Sequence, residues 1–133
     1  MFHIVSWVRE LRRVQWFSVS IKLLVISLML LGVWVATRKL DFPPGVKIND
    51  KVIHVFVFFC FALLMDLTSS RKPFWLWKGL PLLSYGLLIE VFQFFTPNRN
   101  FSLLDLFADF FGIFLYTFLK YLLYLFVVNR VNN

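Results

Sequence analysis

The feature that most constrains this chain is the apolar run from Phe17 to Thr37, which contains a single charged residue, Lys22. A helix needs about 20 predominantly apolar residues to cross the hydrocarbon core of a bilayer. The run is long enough for one crossing. Lys22 is close enough to its beginning for the ammonium group to reach the headgroups while the aliphatic stem stays in lipid.

The composition extends this conclusion to the whole chain. Hydrophobic residues make up 60% of it and charged residues only 16%, whereas soluble domains carry about 25% charged residues. Intrinsic disorder is excluded by the same values, and a disulfide scaffold by the single cysteine, Cys60. The net charge of +7 would indicate nucleic-acid binding in a soluble protein. Here membrane topology explains it better, and no nucleic-acid partner is expected.

Three more apolar segments follow the first and are separated by short polar connections. Pro43-Pro44-Gly45 breaks the helix after the first span, and two further polar turns separate the later segments. The sequence therefore predicts an all-α fold, an integral membrane four-helix bundle within residues 17–128, with a tail at 129–133. The predicted spans are 17–37, 51–67, 74–95 and 103–128.

Residues 1–16 form a basic amphipathic segment. Its apolar residues recur at helical spacing while its arginines face elsewhere, which is typical of a helix lying in the membrane interface. Arginines before an apolar run also occur in signal peptides. The long run and the poor cleavage context at Thr37-Arg38-Lys39 favour an interfacial segment that is retained.

An even number of spans places both termini on one side of the membrane. Basic residues favour the cytoplasmic side. Six lie on the side of the termini and five on the other, and Lys22, Lys78 and Lys120 add to the first side if they extend toward it. The two groups are Arg9, Arg12, Arg13, Arg71, Lys72 and Arg130, against Arg38, Lys39, Lys47, Lys51 and Arg99. Both termini are predicted to be cytoplasmic.

Polar residues of three predicted spans lie at a similar depth, near the outer interface. Each is within about 10 Å of the assumed end of its helix at a rise of about 1.5 Å per residue. Residues three or four apart share a helix face, so these side chains can face a common interior. They are His54, Glu90, Gln93, Asp105 and Asp109, with Lys51 beside them and Arg99 in the loop above. Ionisable residues at membrane depth usually mark a functional site.

A purely structural interpretation remains open for several of these residues. Ser102-Leu103-Leu104-Asp105 fits a capping box at the start of the fourth span. Asp50 is a candidate N-cap of the second span, and Lys51 a residue of the headgroup region. Glu90 and Asp109 lie too far inside their helices for end capping. A salt-bridge network joining the three spans is the main structural alternative.

The spacing of these residues resembles that of the VanZ-like membrane proteins. The resemblance covers about residues 50–116 and rests on Asp50-Lys51-x-x-His54, Glu90-x-x-Gln93, Arg99 and Asp105-x-x-x-Asp109-x-x-Gly112. This chain differs in having Asp109 where the family often has Asn, and Tyr116 where a second small residue often follows Gly112. The resemblance implies a four-helix protein of the bacterial inner membrane that serves the cell envelope. It also implies a link to resistance to the glycopeptide teicoplanin.

One functional hypothesis is an enzyme acting at the outer leaflet on an envelope lipid or a lipid-linked cell-wall intermediate. The candidate catalytic residues are His54, Glu90 and Asp109, with Glu90 or His54 as general acid or base and Asp109 orienting the imidazole. The candidate substrate-binding residues are Lys51, Gln93, Arg99 and Asp105. No cofactor or metal is expected, although His54, Glu90 and Asp109 are a conceivable ligand set of low selectivity.

Two other functions remain in competition with catalysis. A non-catalytic membrane protein would use the polar cluster for structure, or to bind a lipid head or a partner. A proton-linked carrier would need a relay of polar groups across the bilayer. The segments 79–89 and 110–119 contain no charged residue, which argues against the carrier. The oligomeric state is not predicted.

Overall fold

The computed structural model describes residues 2–38, 49–68, 71–97 and 100–131, and within these ranges the side chains of residues 15–130. They form four α-helices and no strand, which confirms the predicted all-α class. The helices are α1 (Phe2–Ala36), α2 (Asp50–Thr68), α3 (Leu80–Phe94) and α4 (Leu103–Val131).

Three of the helices are long and apolar enough to cross a membrane: Gln15–Ala36 of α1, Asp50–Thr68 of α2 and Leu103–Arg130 of α4. Few residues of these stretches are buried inside the chain: 11% in α1, and 17% in α2 and in α4. Soluble monomers rarely expose contiguous apolar patches above a few hundred Å². The exposed apolar faces therefore indicate contact with lipid.

The third predicted span, 74–95, is divided between two helical forms. A π-helical segment, Trp75–Gly79, leads directly into α3. Pro81 lies just after this junction and has no N–H to donate to the preceding turn, and its ring would clash with a carbonyl in α-helical register. The widened turn ends at Gly79, two residues before the proline. α3 is consequently shorter than the predicted span, although the chain stays helical from residue 74 to residue 94.

Helix α1 is continuous from Phe2 to Ala36. The segments predicted at 1–16 and 17–37 thus belong to one helix over these residues. Ser18 donates a hydrogen bond to the carbonyl oxygen of Thr68, and Tyr85 donates one to the carbonyl oxygen of Met29 at 2.7 Å. These two bonds attach α1 to the end of α2 and to the middle of α3.

The core lies where α2, α3 and α4 meet. Phe58, Leu82 and Ile113 are fully buried there, one from each helix. Phe61 and Tyr85 pack edge to face with ring centroids 5.8 Å apart. Such aromatic pairs stabilise a core by about 0.5–1.5 kcal/mol beyond the area they bury. This packing fixes α3 against α2.

Helices α2 and α4 form the largest interface in the described part of the chain. Gly112 of α4 lies against the backbone of α2, where a Cβ atom would clash with the carbonyl oxygen of Val55 and would lie 3.0 Å from the amide nitrogen of Phe59. Small residues allow this close approach of helices in lipid. The absence of a side chain at position 112 therefore sets the separation of α2 and α4.

Replacing Gly112 with alanine should destabilise the protein by roughly 1–3 kcal/mol, because the added methyl group must push the α2 backbone away. Alanine is a better helix former than glycine by about 1 kcal/mol, so propensity alone predicts the opposite sign. SDS-induced unfolding of the purified protein, followed by tryptophan fluorescence, measures the change. Leu119→Ala, at an exposed site on the same helix, is the control. Unchanged or increased stability of Gly112→Ala would contradict the packing argument.

Candidate functional site

A histidine–carboxylate pair joins α2 to α4 near one end of the helices. His54 Nδ1 and Asp109 Oδ1 are 2.7 Å apart, and Asp109 is completely buried. Gly86 of α3 makes room for this carboxylate, because a Cβ atom there would clash with Asp109 Oδ2. The His54 ring also stacks on Phe58, with centroids 6.4 Å apart. Asp109 thus orients the imidazole from a fixed position.

Glu90 of α3 caps the beginning of α4. Its Oε2 accepts a hydrogen bond of 2.8 Å from the backbone N–H of Ser102, while Ser102 Oγ accepts one from the N–H of Asp105. In a capping box, the side chain three residues after the N-cap would bond to the N-cap N–H. Here the N–H of Ser102 bonds to Glu90 instead of Asp105. Only one of the two hydrogen bonds of the predicted capping box is therefore formed, the one from the Asp105 N–H to Ser102 Oγ. Although Glu90 lies too deep to cap its own helix, it caps the next one.

Asp105 pairs with Lys51 across the α2–α4 interface. Lys51 Nζ is 3.1 Å from Asp105 Oδ1. The ammonium group of Lys51 is thereby held beside a carboxylate of the cluster. The N-cap of α2 is Asn49, whose Oδ1 accepts a hydrogen bond from the N–H of Lys51. Asp50, the predicted cap, instead occupies the first turn of the helix.

A cavity of about 420 Å³ opens beside these polar groups, between α1 and the α2–α3 pair. Its walls are largely apolar and come from α1, α2 and α3. One end carries polar side chains from α2, α3 and α4: Asp50, His54, Gln93 and Asp105. The cavity therefore has an apolar body and a polar end, and its volume is within the usual range for ligand sites.

The polar groups also form a set of possible metal ligands. His54, Glu90 and Asp105 each offer one ligand atom, and these atoms all lie within 4.8 Å of one another. Glu90 Oε1 and Asp109 Oδ2 are buried, and neither has a hydrogen-bond partner among the described residues. The ligand set conceivable from the sequence has Asp109 as its third member. In the structure, Asp105 takes that place.

This geometry is suited to moving a proton. An imidazole held at Nδ1 by a carboxylate presents its other nitrogen as a general base or acid, and the carboxylate fixes its orientation. A buried carboxyl group such as Glu90 can serve the same purpose. The His54 imidazole lies at the polar end of the cavity, together with the carboxylates of Asp50 and Asp105.

The structure brings together six of the seven residues predicted for the site. His54, Glu90, Asp105 and Asp109 form the cluster, Lys51 pairs with Asp105, and Gln93 is buried at the polar end of the cavity. The seventh, Arg99, lies outside the described residues. The roles assigned to these residues remain predictions.

A second polar cluster, which the sequence analysis missed, lies at the other end of the helices. Asp66 of α2 is its centre and forms ion pairs with Lys78 and Lys120. Tyr116 of α4 donates a 2.7 Å hydrogen bond to Asp66 Oδ2. The two lysines had been predicted only to extend toward the headgroups. A lone acidic residue at the end of an apolar run, with lysines on two neighbouring helices, was the signal in the sequence.

A basic cavity of about 280 Å³ adjoins the Asp66 cluster. Its lining includes three cationic side chains from α1, the segment after α2 and the π-helical segment: Lys22, Arg71 and Lys78. The Arg71 guanidinium also lies over the Trp77 ring, 5.1 Å from its centroid. This end of the molecule is cationic.

The two polar clusters are separated by an apolar layer. His54 and Asp66 are 12 residues apart on α2, which corresponds to about 18 Å along the helix axis. None of the residues 23–37, 55–65, 79–89 and 110–119 is charged. The layer is thinner than the hydrocarbon core of about 30 Å.

No family model, curated protein or solved structure matches this chain.

Removing the charge of Asp66 should leave Lys78 buried without a counter-ion. Breaking a buried ion pair in this way costs about 3–5 kcal/mol. The SDS concentration at the unfolding midpoint should therefore be lower for Asp66→Asn than for wild type. It should not change for Asp50→Asn, at an exposed position. The double variant Asp66→Leu/Lys78→Met should recover most of the loss. A wild-type SDS midpoint for Asp66→Asn would show that the ion pair contributes little.

Proposed function

We propose that this chain is a VanZ-like protein of the bacterial inner membrane that binds an envelope lipid or a lipid-linked cell-wall intermediate. The lipid tail occupies the cavity between α1 and the α2–α3 pair, and its polar head meets His54, Gln93 and Asp105 at the polar end. The observation that carries this proposal is the amphipathic cavity, apolar along its length and polar at one end.

The cavity suits an acyl or isoprenoid chain better than a water-soluble ligand. Exposed apolar residues line its side, including Leu31 and Ile53. In a bilayer that side faces lipid, so a tail enters laterally without passing through water. Little hydrophobic energy is gained when a tail leaves lipid for an apolar cavity, because both surroundings are apolar. Specificity therefore comes from the polar end.

The polar end offers complementary groups for a head with hydroxyl, amide or phosphate oxygens. Lys51 is a cationic donor, Gln93 both donates and accepts hydrogen bonds, and Asp105 accepts them. The His54–Asp109 pair beside them has the geometry of an oriented acid–base group. Conversion of the bound head is the enzymatic form of this proposal, and binding alone is its minimum.

Membrane insertion through four spans is part of the proposal. The helical stretch from Phe74 to Phe94 rises by about 30 Å, enough for a crossing together with the three long helices. Lys22, Arg71 and Lys120 lie at the end that carries the Asp66 cluster. Their charge favours the cytoplasm for that end and for both termini. The cavity's polar end then faces the outer leaflet.

A structural role for the polar cluster is the second candidate. It is favoured by the hydrogen bond from Ser102 to Glu90 and by the Lys51–Asp105 pair, which both join helices. A structural network would show its effect in the stability of the protein and leave lipid binding unaltered. The cluster would then serve an envelope protein that acts through another surface or a partner.

The binding proposal predicts a lipid that co-purifies with the wild-type protein. Mass spectrometry of an organic extract should detect it near one equivalent per chain. Ile53→Trp, which fills the cavity, should reduce it at least fivefold, whereas Leu63→Trp should retain it. Both positions are on α2 and 40% exposed, but only Ile53 lines the cavity.

The polar end is tested separately with Gln93→Leu, which nearly keeps the volume of the side chain and removes its donor and acceptor groups. This variant should lose the lipid while its SDS midpoint stays near wild type. Equal lipid content in Ile53→Trp, Leu63→Trp and wild type would refute binding in this cavity. Loss of stability without loss of lipid in Gln93→Leu would favour the structural role.

The proposed topology predicts the reactivity of single cysteines introduced into a Cys60→Ala background. In intact spheroplasts, a membrane-impermeant maleimide should label Asn100→Cys. It should label Lys72→Cys only after permeabilisation, because that position is at the cationic end. The Cys60→Ala protein without a new cysteine gives the background signal. The reverse pattern would place the polar cluster on the cytoplasmic side.

A further inference from the structure

The polar end of the cavity contains more negative than positive charge. Among the described residues of the cluster there are three carboxylates, Glu90, Asp105 and Asp109. Lys51 pairs with Asp105 and the His54 imidazole with Asp109, which leaves Glu90 without a cationic partner there. Glu90 and Asp109 are both completely buried. Buried carboxylates without a counter-charge are costly, and more so at membrane depth. A cation bound within the cluster would offset this excess.

The arrangement of Glu90 points to where the cation binds. Its Oε2 is used by Ser102, whereas its Oε1 is buried and has no hydrogen-bond partner among the described residues. A buried acceptor in this state loses the solvation that it has in water. The three ligand atoms of Glu90, His54 and Asp105 lie within 4.8 Å of one another. A small inward movement places them around one metal ion with bonds of about 2.0–2.2 Å.

The His54–Asp109 pair supplies the second feature of a metal site. A histidine that ligates a metal commonly donates its other ring N–H to a carboxylate, which fixes the tautomer and the ring orientation. Asp109 Oδ1 is 2.7 Å from Nδ1. The remaining nitrogen, Nε2, is then the ligand, and Asp109 is a positioning residue that does not contact the metal.

We propose that His54, Glu90 and Asp105 bind one divalent transition-metal ion, Zn²⁺ or Mn²⁺, at the polar end of the cavity. One imidazole with two carboxylates suits these ions, while Mg²⁺ and Ca²⁺ prefer sites made entirely of oxygen. Asp105 exchanges its contact with Lys51 for the metal. The metal site goes beyond lipid binding and does not depend on it. With Nε2 bound to the metal, His54 is a ligand and does not serve as the acid–base group of the enzymatic form.

The test uses full-length protein without a histidine tag, purified in detergent and treated with EDTA. Equilibrium dialysis against Zn²⁺ or Mn²⁺, with metal analysis of the protein, should give about one ion per chain. The added metal should also raise the thermal midpoint, because a ligand that binds only the folded state stabilises it. Mg²⁺ at the same concentration should do neither.

Four variants locate the site. Glu90→Gln keeps an oxygen for Ser102, and it should lose the bound metal and the thermal shift while its circular dichroism stays that of wild type. His54→Ala should lose both as well. Asp109→Asn should weaken binding about 10–100-fold, as is usual for the partner of a ligating histidine. Leu63→Trp, on α2 but outside both the cavity and the ligand set, should bind as wild type.

Two outcomes would overturn the metal site. One is the absence of stoichiometric Zn²⁺ or Mn²⁺ in folded wild type, which would leave the lipid proposal standing. The other is wild-type metal content in both Glu90→Gln and His54→Ala, which would place the ion elsewhere. Conversely, metal bound as described with no co-purified lipid would support the site and count against the proposed function.

Discussion

A buried carboxylate on α3 holds the beginning of α4. Glu90 accepts the N–H of Ser102, which has no partner within its own helix. A buried backbone donor without a partner costs about 1–3 kcal/mol, so the bond fixes where α4 begins relative to α3. The position of the α4 N-terminus determines where Asp105 and Asp109 lie along the axes of α2 and α3. It places Asp109 beside the His54 imidazole on α2. The geometry of the cluster therefore follows from one cap made between helices.

The molecule combines two polar clusters with an apolar layer of about 18 Å between them. The cluster at the α4 N-terminus is rich in carboxylates and adjoins a large cavity, whereas the one around Asp66 is balanced by lysines and adjoins a smaller, basic cavity. Each links neighbouring helices through ion pairs or hydrogen bonds. Only the first combines unpaired buried acceptors with an apolar chamber, and for that reason the proposed functions reside there.

The sequence predicted the all-α class because long apolar runs without helix breakers indicate helices. It did not predict that the first helix begins at Phe2, since the basic segment before residue 17 was separated from the apolar run. It did not predict the π-helical turn before Pro81. A proline in an apolar run can be accommodated by a kink, a widened turn or a break, and only the packing of neighbouring helices selects among them. Asp66 was likewise overlooked, since its significance depends on Lys78 and Lys120, which lie 12 and 54 residues further along the chain.

The sequence by itself determined that polar side chains recur at similar positions along three apolar helices. The helical rise gives the position of a residue along its helix, and the helical period gives the face on which it lies. Only the tertiary structure decided their partners. Three pairs illustrate this: His54 with Asp109, Ser102 with Glu90, and Asp105 with Lys51. Which residues pair depends on how far each helix is shifted and rotated against its neighbours. Those shifts are set by contacts between residues distant in sequence, such as the approach of α2 to α4 at Gly112, which no local pattern specifies.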